Sequence, residues 1–278
     1  QSQSIDYVGG ERMRDYELEL KLQAALDRGD NVWVVGDVHG FFQSMVELCE
    51  GLNLGEGDWV VFLGDLIDRG PNGFGVVHEV MTNPRFASVK GNHEDMMVQQ
   101  FTMEKIRHPD VDVMLWMKNG GNTTIASYID AARNANGALD EVALEECAAL
   151  HTAWMDQLPT HLVLDRWRLV HAGYRPNHDL EQQTSDDLLW IRRAFHTATQ
   201  PIDPVRTIVF GHTPTVALPG HTKEEWGHVW HSDVRLKDER PAATGLDTCL
   251  YQGPADRRVL SALNLQTGQV AQQHRVEA

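Results

Sequence analysis

Three short segments between residues 32 and 94 carry residue types suited to metal chemistry: Gly36-Asp37-Val38-His39-Gly40, Gly64-Asp65-Leu66-Ile67-Asp68-Arg69-Gly70 and Gly91-Asn92-His93-Glu94. Asp37 and His39 are two residues apart, so in an extended backbone they point the same way. One hard oxygen and one imidazole nitrogen can then hold a single divalent cation. Asp65 is a third candidate ligand, and its two carboxylate oxygens allow it to bridge two cations. Asn92 offers a neutral carbonyl oxygen. Oxygen and imidazole donors without thiolate suit Mn²⁺, Fe or Zn²⁺ better than a structural cysteine site. Taken singly, each segment is an ordinary turn signal. Their weight comes from occurring three times in order.

Each segment follows a short apolar run: Val32-Trp33-Val34-Val35, Trp59-Val60-Val61-Phe62-Leu63 and Phe86-Ala87-Ser88-Val89. Runs this short that end near glycine predict strands covered on both faces. The stretches from Phe41 to Cys49 and Gly75 to Met81 predict intervening helices. The β-α-β-α-β order predicts a parallel sheet, with the polar residues just past the strand ends, where open α/β sheets bind ligands. Residues 93–158 read as mainly helical, divided at Gly120-Gly121. Within them Met114 to Met117 reads as core, and Asn119 to Thr124 as a helix break or a loop beside the cleft. Beyond Pro159 a β-hairpin runs into His171, a short helix lies near 186–195, and the strand Thr207 to Phe210 ends at Gly211-His212. Residues 217–245, with His221, His228, His231, Trp226 and Trp230, read as a solvated loop at a substrate rim. Closing strands are expected at 246–251, 258–265 and 269–275. The expected organisation is a loose arm over residues 1–10, then a single domain over 11–278 that opens with a helix at 11–30. That domain has a parallel α/β half, a helical excursion and a mostly antiparallel half.

Composition narrows the function. Against 24 Lys and Arg stand 40 Asp and Glu, a net charge of −16. That argues against sequence-independent nucleic-acid binding, which needs a cationic surface. An anionic substrate must instead be drawn in locally, by metals and arginines. The three cysteines, Cys49, Cys147 and Cys249, are far apart and show no C-x-x-C pattern. They suggest neither a disulfide framework nor a thiolate zinc site, and none is followed six residues later by arginine, as a cysteine-nucleophile phosphatase loop would require. No run of 18 apolar residues suggests a membrane span, and no charged-then-apolar segment opens the chain. The expectation is a cytoplasmic protein without membrane or nucleic-acid partners.

GDVHG, GDLIDRG and GNHE together resemble the three signatures of the phosphoprotein phosphatase family, the two-metal Ser/Thr phosphatases. His171-Ala172-Gly173 and Gly211-His212-Thr213 resemble its two later histidine motifs, and Gly211 to Pro214 has the GHTP form of the compact bacterial and lambda-phage type. The resemblance spans about residues 30–250. It implies a calcineurin-like α/β metallophosphatase fold of two packed mixed β-sheets flanked by helices. It also implies two divalent metal ions, Mn²⁺ first, with Fe or Zn²⁺ as alternatives. Asp37, His39 and Asp65 match the ligands of one metal, and Asp65, Asn92, His171 and His212 those of the other. Two metals about 3.5–4 Å apart can clamp a phosphoryl group and share a bridging hydroxide that attacks phosphorus in line. By the same resemblance, Arg69 stabilises the equatorial oxygens, His93 protonates the leaving group and Asp68 supports His93. Arg192, in Trp190-Ile191-Arg192, resembles the arginine of the family's W-x-R, with Arg193 as its neighbour. Asp247 stands where the family often has Asp-Thr-Gly; here Cys249 replaces the glycine, and Asp247 is read as fold support.

The leading expectation is a phosphomonoesterase acting on phosphoserine and phosphothreonine, with phosphotyrosine and small phosphate esters as further substrates. The competing expectation is a related enzyme that splits dinucleoside polyphosphates symmetrically. That branch usually has alanine at the position of Asp68 and GNHD in place of GNHE, so Asp68 and Glu94 favour phosphoproteins. A catalytically dead binding module is the third reading, and the six filled ligand positions speak against it.

Overall fold

The computed structural model describes residues 7–8 and 11–278. Its strands are β1 (Tyr7–Val8), β2 (Glu11–Arg12), β3 (Val32–Val35), β4 (Trp59–Phe62), β5 (Phe86–Ser88), β6 (His161–Val163), β7 (Trp167–Val170), β8 (Thr207–Phe210), β9 (Trp230–His231), β10 (Ala243–Gly245), β11 (Val259–Asn264) and β12 (Val270–His274). Its α-helices are α1 (Tyr16–Arg28), α2 (Phe42–Gly51), α3 (Gly73–Thr82), α4 (Asn92–Gln100), α5 (Met103–Arg107), α6 (Val111–Trp116), α7 (Asn122–Ala131), α8 (Glu141–Asp156), α9 (Ser185–Trp190) and α10 (Arg193–His196).

Two five-stranded sheets form the centre, in the orders β12-β11-β3-β4-β5 and β6-β7-β8-β10-β9. Both are mixed. The strands β3, β4 and β5 run parallel, as the sequence predicts, and β11 closes on β3 antiparallel. In the second sheet β7, β8 and β10 also run parallel, with β6 and β9 as antiparallel edges. The later half of the chain is mostly antiparallel in its pairings, as expected, but the centre of the second sheet, β7-β8-β10, is parallel. The strand expected at 246–251 does not form: β10 ends at Gly245, and the chain then crosses to the first sheet. There β11 and β12 pair as a hairpin beside β3.

Strand alternation builds the layers. Val32, Val34, Val61 and Leu63 pack between the sheets against Leu162, Leu169 and Val209. Trp33, Val35, Val60 and Phe62 face the other way, into a core with side chains of α2, α3, α4, α7 and α8. Ile208 and Phe210 face a third cluster with Leu188 and Phe195. Every one of these strands is buried on both sides, which explains why they read as continuous apolar runs.

The helix expected over 11–30 is shorter. Asp15 caps α1 by accepting from the Leu18 N–H, and Gly29, in the left-handed region at φ 89°, ends it. Residues 11–12 pair instead with Tyr7–Val8. The remainder of the expected arm, 1–6 and 9–10, lies outside the described residues. Residues 217–245 are not simply a solvated loop: Trp230 is buried and donates its Nε1–H to the Pro219 carbonyl at 2.8 Å. The expected helical excursion holds, with Met117–Gly121 forming a π-turn between α6 and α7. Among the described residues no helix is long and apolar enough to cross a membrane, and the three cysteines are free.

Candidate metal centre

The ends of five parallel strands, β3, β4 and β5 of one sheet and β7 and β8 of the other, bring the predicted residues to one edge where the sheets meet. Asp37, His39, Asp65, Asp68, Asn92, His93, His171 and His212 are all buried there. The backbone that presents them is not extended. His39, Asp65, Asp68, Arg69 and His212 sit at φ 48°, 50°, 71°, 72° and 63°. Left-handed non-glycine residues cost of order 1 kcal/mol each and cluster at functional sites. Asp37 and His39 thus converge through a turn and not through strand alternation. The loops interlock: the His39 and Val38 N–H groups donate to the Asp65 carbonyl at 2.8 and 3.1 Å.

Glu94 binds two of these loops together. It is fully buried, with Oε2 accepting from the Asp65 and Gly91 N–H groups and Oε1 from that of Leu66, each at 2.8 Å. Burial, reinforced by the charge of Asp65, pushes its pKa up to about 7, against the pull of these backbone donors.

Two groups of ligand atoms share Asp65. The atoms of His39, Asp65 and His93 lie within 4.8 Å of one another, as do those of Asp65, His171 and His212. Asp65 turns Oδ2 toward His39 Nε2, at 3.5 Å, and Oδ1 toward His171 Nε2, at 3.3 Å. Asp37 Oδ2 lies 3.8 Å from His39 Nε2, and both its oxygens accept from the His212 N–H at 3.1 Å.

The hydrogen bonds fix which ring nitrogens carry protons. His39 Nδ1 donates to the Ile67 carbonyl at 2.9 Å and His171 Nδ1 to the Leu63 carbonyl at 2.7 Å. A carbonyl only accepts, so both Nε2 atoms face the centre as bare lone pairs. His171 Nε2 meets Asn92 Oδ1 at 2.8 Å and His212 Nδ1 at 3.2 Å, and the latter is 3.0 Å from Asn92 Oδ1. His212 has at most one proton on Nδ1 to offer these acceptors, and its buried Nε2 has no partner. Burial lowers the pKa of His39, His171 and His212, and burial with the charges of Asp247 and Asp65 raises that of Asp37. Converging lone pairs on buried neutral imidazoles beside crowded carboxylates fit divalent cations and little else.

A cationic side chain already approaches one of the groups. Arg69 donates from Nη1 to His39 Nε2 at 2.5 Å and from Nη2 to His93 Nε2 at 3.3 Å, with its guanidinium 4.1 Å over the Tyr251 ring. On its other edge His93 donates from Nδ1 to Asp68 Oδ2 at 2.6 Å. Arg192 reaches the opposite side of the centre, donating to Thr213 Oγ1 at 2.9 Å beside His212.

Several residues at the site were not expected there from the sequence. Asp247 is buried near Asp37, accepting from the Cys249 N–H at 3.0 Å, and burial pushes its pKa up to about 6. Trp116 and Thr124, read as core and as a loop, both hydrogen-bond Asp68. Glu94 gave a signal: a glutamate three residues after a helix start reaches back to the cap N–H. Asp247 gave one too, at the family's Asp-Thr-Gly position, but was read as fold support; Tyr251 gave none.

The matching family is that of the calcineurin-like phosphoesterases, whose profile covers residues 31–238. The chain belongs to that family. Among curated relatives, it is 29% identical over 210 residues to serine/threonine-protein phosphatase 1 of Salmonella typhimurium, covering 73% of this chain and 86% of the relative. It is 28% identical over 210 residues to the asymmetrical bis(5'-nucleosyl)-tetraphosphatase PrpE of Halalkalibacterium halodurans, covering 65% of this chain and 77% of the relative. A serine/threonine phosphatase structure from Saccharomyces cerevisiae superposes with a TM-score of 0.53 at 14% identity, over 94% of this chain and 91% of that one. The fold is therefore the metallophosphatase fold that the sequence implied, and the chain is a phosphoesterase by family.

Proposed function

We propose that the protein is a metal-dependent phosphomonoesterase that releases phosphate from phosphoserine and phosphothreonine in proteins. Asp37, His39 and Asp65 would hold one divalent cation and Asp65, Asn92, His171 and His212 the other, with Mn²⁺ the first candidate. When bound, the two cations supply Lewis acidity toward the phosphoryl group and the attacking water. The chain's own groups do the rest. Arg69 and Arg192 flank the centre from two sides and bind phosphoryl oxygens, where cationic donors stabilise developing charge. His93 keeps one proton on Nδ1 for Asp68. Against the effect of burial, the carboxylates of Asp65 and Asp68 raise its pKa and favour a second proton on Nε2. That second proton is the one that would pass to the leaving alkoxide. A cytoplasmic setting belongs to this proposal and is supported by the free cysteines.

The observation that carries the substrate class is the bond between His93 Nδ1 and buried Asp68 at 2.6 Å. An alkoxide leaving from serine or threonine needs a proton; a nucleotide phosphate leaves without one. The relative named as a bis(5'-nucleosyl)-tetraphosphatase supports a second reading, hydrolysis of dinucleoside polyphosphates. Turnover of a phosphothreonine peptide and of diadenosine tetraphosphate, on metal-stripped protein with Mn²⁺ restored, separates the two. Faster phosphate release from the peptide is expected. Preference for the dinucleotide, yielding ADP or ATP with AMP, would overturn the reading.

A further inference from the structure

Asp68 has more partners than a carboxylate supporting one histidine requires. Its side chain is fully buried. Besides His93, Oδ2 accepts from Trp116 Nε1 at 2.9 Å, and Oδ1 accepts from Thr124 Oγ1 at 2.6 Å. Thr124 Oγ1 in turn accepts from the Asp68 backbone N–H at 2.9 Å. Three donors on two oxygens fix both the position of the carboxylate and the direction of its plane, and the Thr124 hydroxyl ties the side chain to its own backbone.

Both new partners come from the helical excursion, on either side of the π-turn Met117–Gly121. Such turns within helices recur at functional sites, and this one is fitted to its neighbours. Trp116 is buried, and a Cβ on Gly121 would lie 2.6 Å from its ring. Gly120, at φ 109°, lends its carbonyl to the Arg69 N–H at 3.2 Å, and a Cβ there would lie 2.6 Å from the Arg69 nitrogen. The segment from Trp116 to Thr124 therefore grips the Asp68-Arg69 turn at four points: two side-chain bonds to the carboxylate, the hydroxyl on the Asp68 N–H, and the Gly120 carbonyl on Arg69.

We propose that Trp116 and Thr124 are positioning residues for proton donation: by fixing Asp68 they hold the His93 ring, so the helical excursion sets how poor a leaving group the enzyme can expel. The inference rests on the proposed role of His93 as general acid. The two oxygens of a carboxylate are interchangeable for a single donor. A carboxylate gripped by His93 alone could therefore rotate about its Cβ–Cγ bond, carrying the ring with it. Held by Trp116 on one oxygen and Thr124 on the other, it cannot, and Nε2 stays aimed at one point. Small misplacements of a proton donor are costly because transfer requires hydrogen-bond reach.

The test uses full-length protein reconstituted with Mn²⁺ and two substrates, phenyl phosphate and p-nitrophenyl phosphate. The first leaving group needs a proton far more than the second. Thr124→Val keeps the shape and removes the hydroxyl; Thr124→Ser restores it; Trp116→Phe removes the indole donor. The expected result for Thr124→Val is a fall in kcat of about tenfold or more on phenyl phosphate, against less than about threefold on p-nitrophenyl phosphate, with KM little changed. Thr124→Ser recovers the difference, and Trp116→Phe shifts it the same way. In an Asp68→Asn background Thr124→Val adds no further selectivity. Equal losses on both substrates, no loss at all, or an added loss in the Asp68→Asn background overturns the inference. His93→Asn is run alongside. If it is selective for phenyl phosphate and Thr124→Val is not, only the positioning role falls. If His93→Asn costs the same on both substrates, the general-acid reading falls and takes the inference with it.

Discussion

Gly211→Ala is a one-methyl change that reaches the candidate metal centre. A Cβ added at Gly211 would lie 2.2 Å from Asp37 Oδ1, with Asp37 Cγ at 3.4 Å and the His171 carbonyl oxygen at 3.7 Å. Gly211 is not among the glycines with positive φ, so alanine brings no backbone strain of its own. The added methyl acts only by pushing Asp37. Real Cβ contacts essentially never fall below 3.0 Å. The carboxylate must therefore retreat by about 0.8 Å or more, and a shift of about 1 Å at a reacting centre costs on the order of a hundredfold in rate. Asp37 is also held by the His212 N–H at 3.1 Å, so the shift loosens both halves of the centre. Overpacking adds about 1–3 kcal/mol of destabilisation. The assay is kcat/KM on p-nitrophenyl phosphate with metal content measured on the same sample. Gly51→Ala is the control, because nothing lies within 4 Å of a Cβ there. Gly211→Ala protein with full metal content and parental activity would refute the placement of Asp37 at the centre.

Two further outcomes follow from buried polar groups. Glu94→Ala strips the acceptor from three backbone N–H groups. At about 1 kcal/mol or more for each orphaned group, less some relief of repulsion with Asp65, urea melts of metal-free protein at pH 8 should show a loss of about 2 kcal/mol or more. A change below about 0.5 kcal/mol contradicts the account. His161, bonded to the Tyr174 hydroxyl at 2.9 Å, has its pKa lowered by burial, helped by Arg168, from 6.5 to about 3. In that window the unfolded chain binds a proton that the folded chain refuses. The parent therefore has this stability above pH 6.5 and loses it as pH falls, by about 1.4 kcal/mol per unit. His161→Phe removes the term, so the stability gap between parent and variant should narrow by about 2 kcal/mol between pH 6 and pH 4.5. A gap independent of pH contradicts it.

The sequence was most legible where chemistry and periodicity coincide. Asp37, Asp65 and Asn92 each follow a short apolar strand, two of them buried on both faces, so their placement at strand ends could be read directly. His171 and His212 needed the resemblance, because a histidine after one short strand says little alone. What stayed hidden was set by tertiary contact. The left-handed backbone at His39, Asp65, Asp68, Arg69 and His212 is selected by interlocking loops, and residue type does not reveal it. Trp116 sits in the apolar Met114-Leu115-Trp116-Met117, where its indole looks like filler; only the fold turns its N–H toward Asp68. The parallel run of β7, β8 and β10 was missed because the helices between β7 and β8 are short and set in a long polar stretch, and no α-helix joins β8 to β10. The closing hairpin was found, but which sheet it joins is fixed by the pairing of Leu263 with Val34, which no local pattern records.

The central claim is that Asp65 joins two cation sites. Equilibrium dialysis of metal-stripped parent and Asp65→Asn against Mn²⁺, with bound metal counted per chain, tests it most directly. The account predicts two Mn²⁺ per chain for the parent and loss of tight binding at both sites in Asp65→Asn, with p-nitrophenyl phosphate turnover lost in step. An Asp65→Asn protein that keeps both ions tightly bound would contradict it.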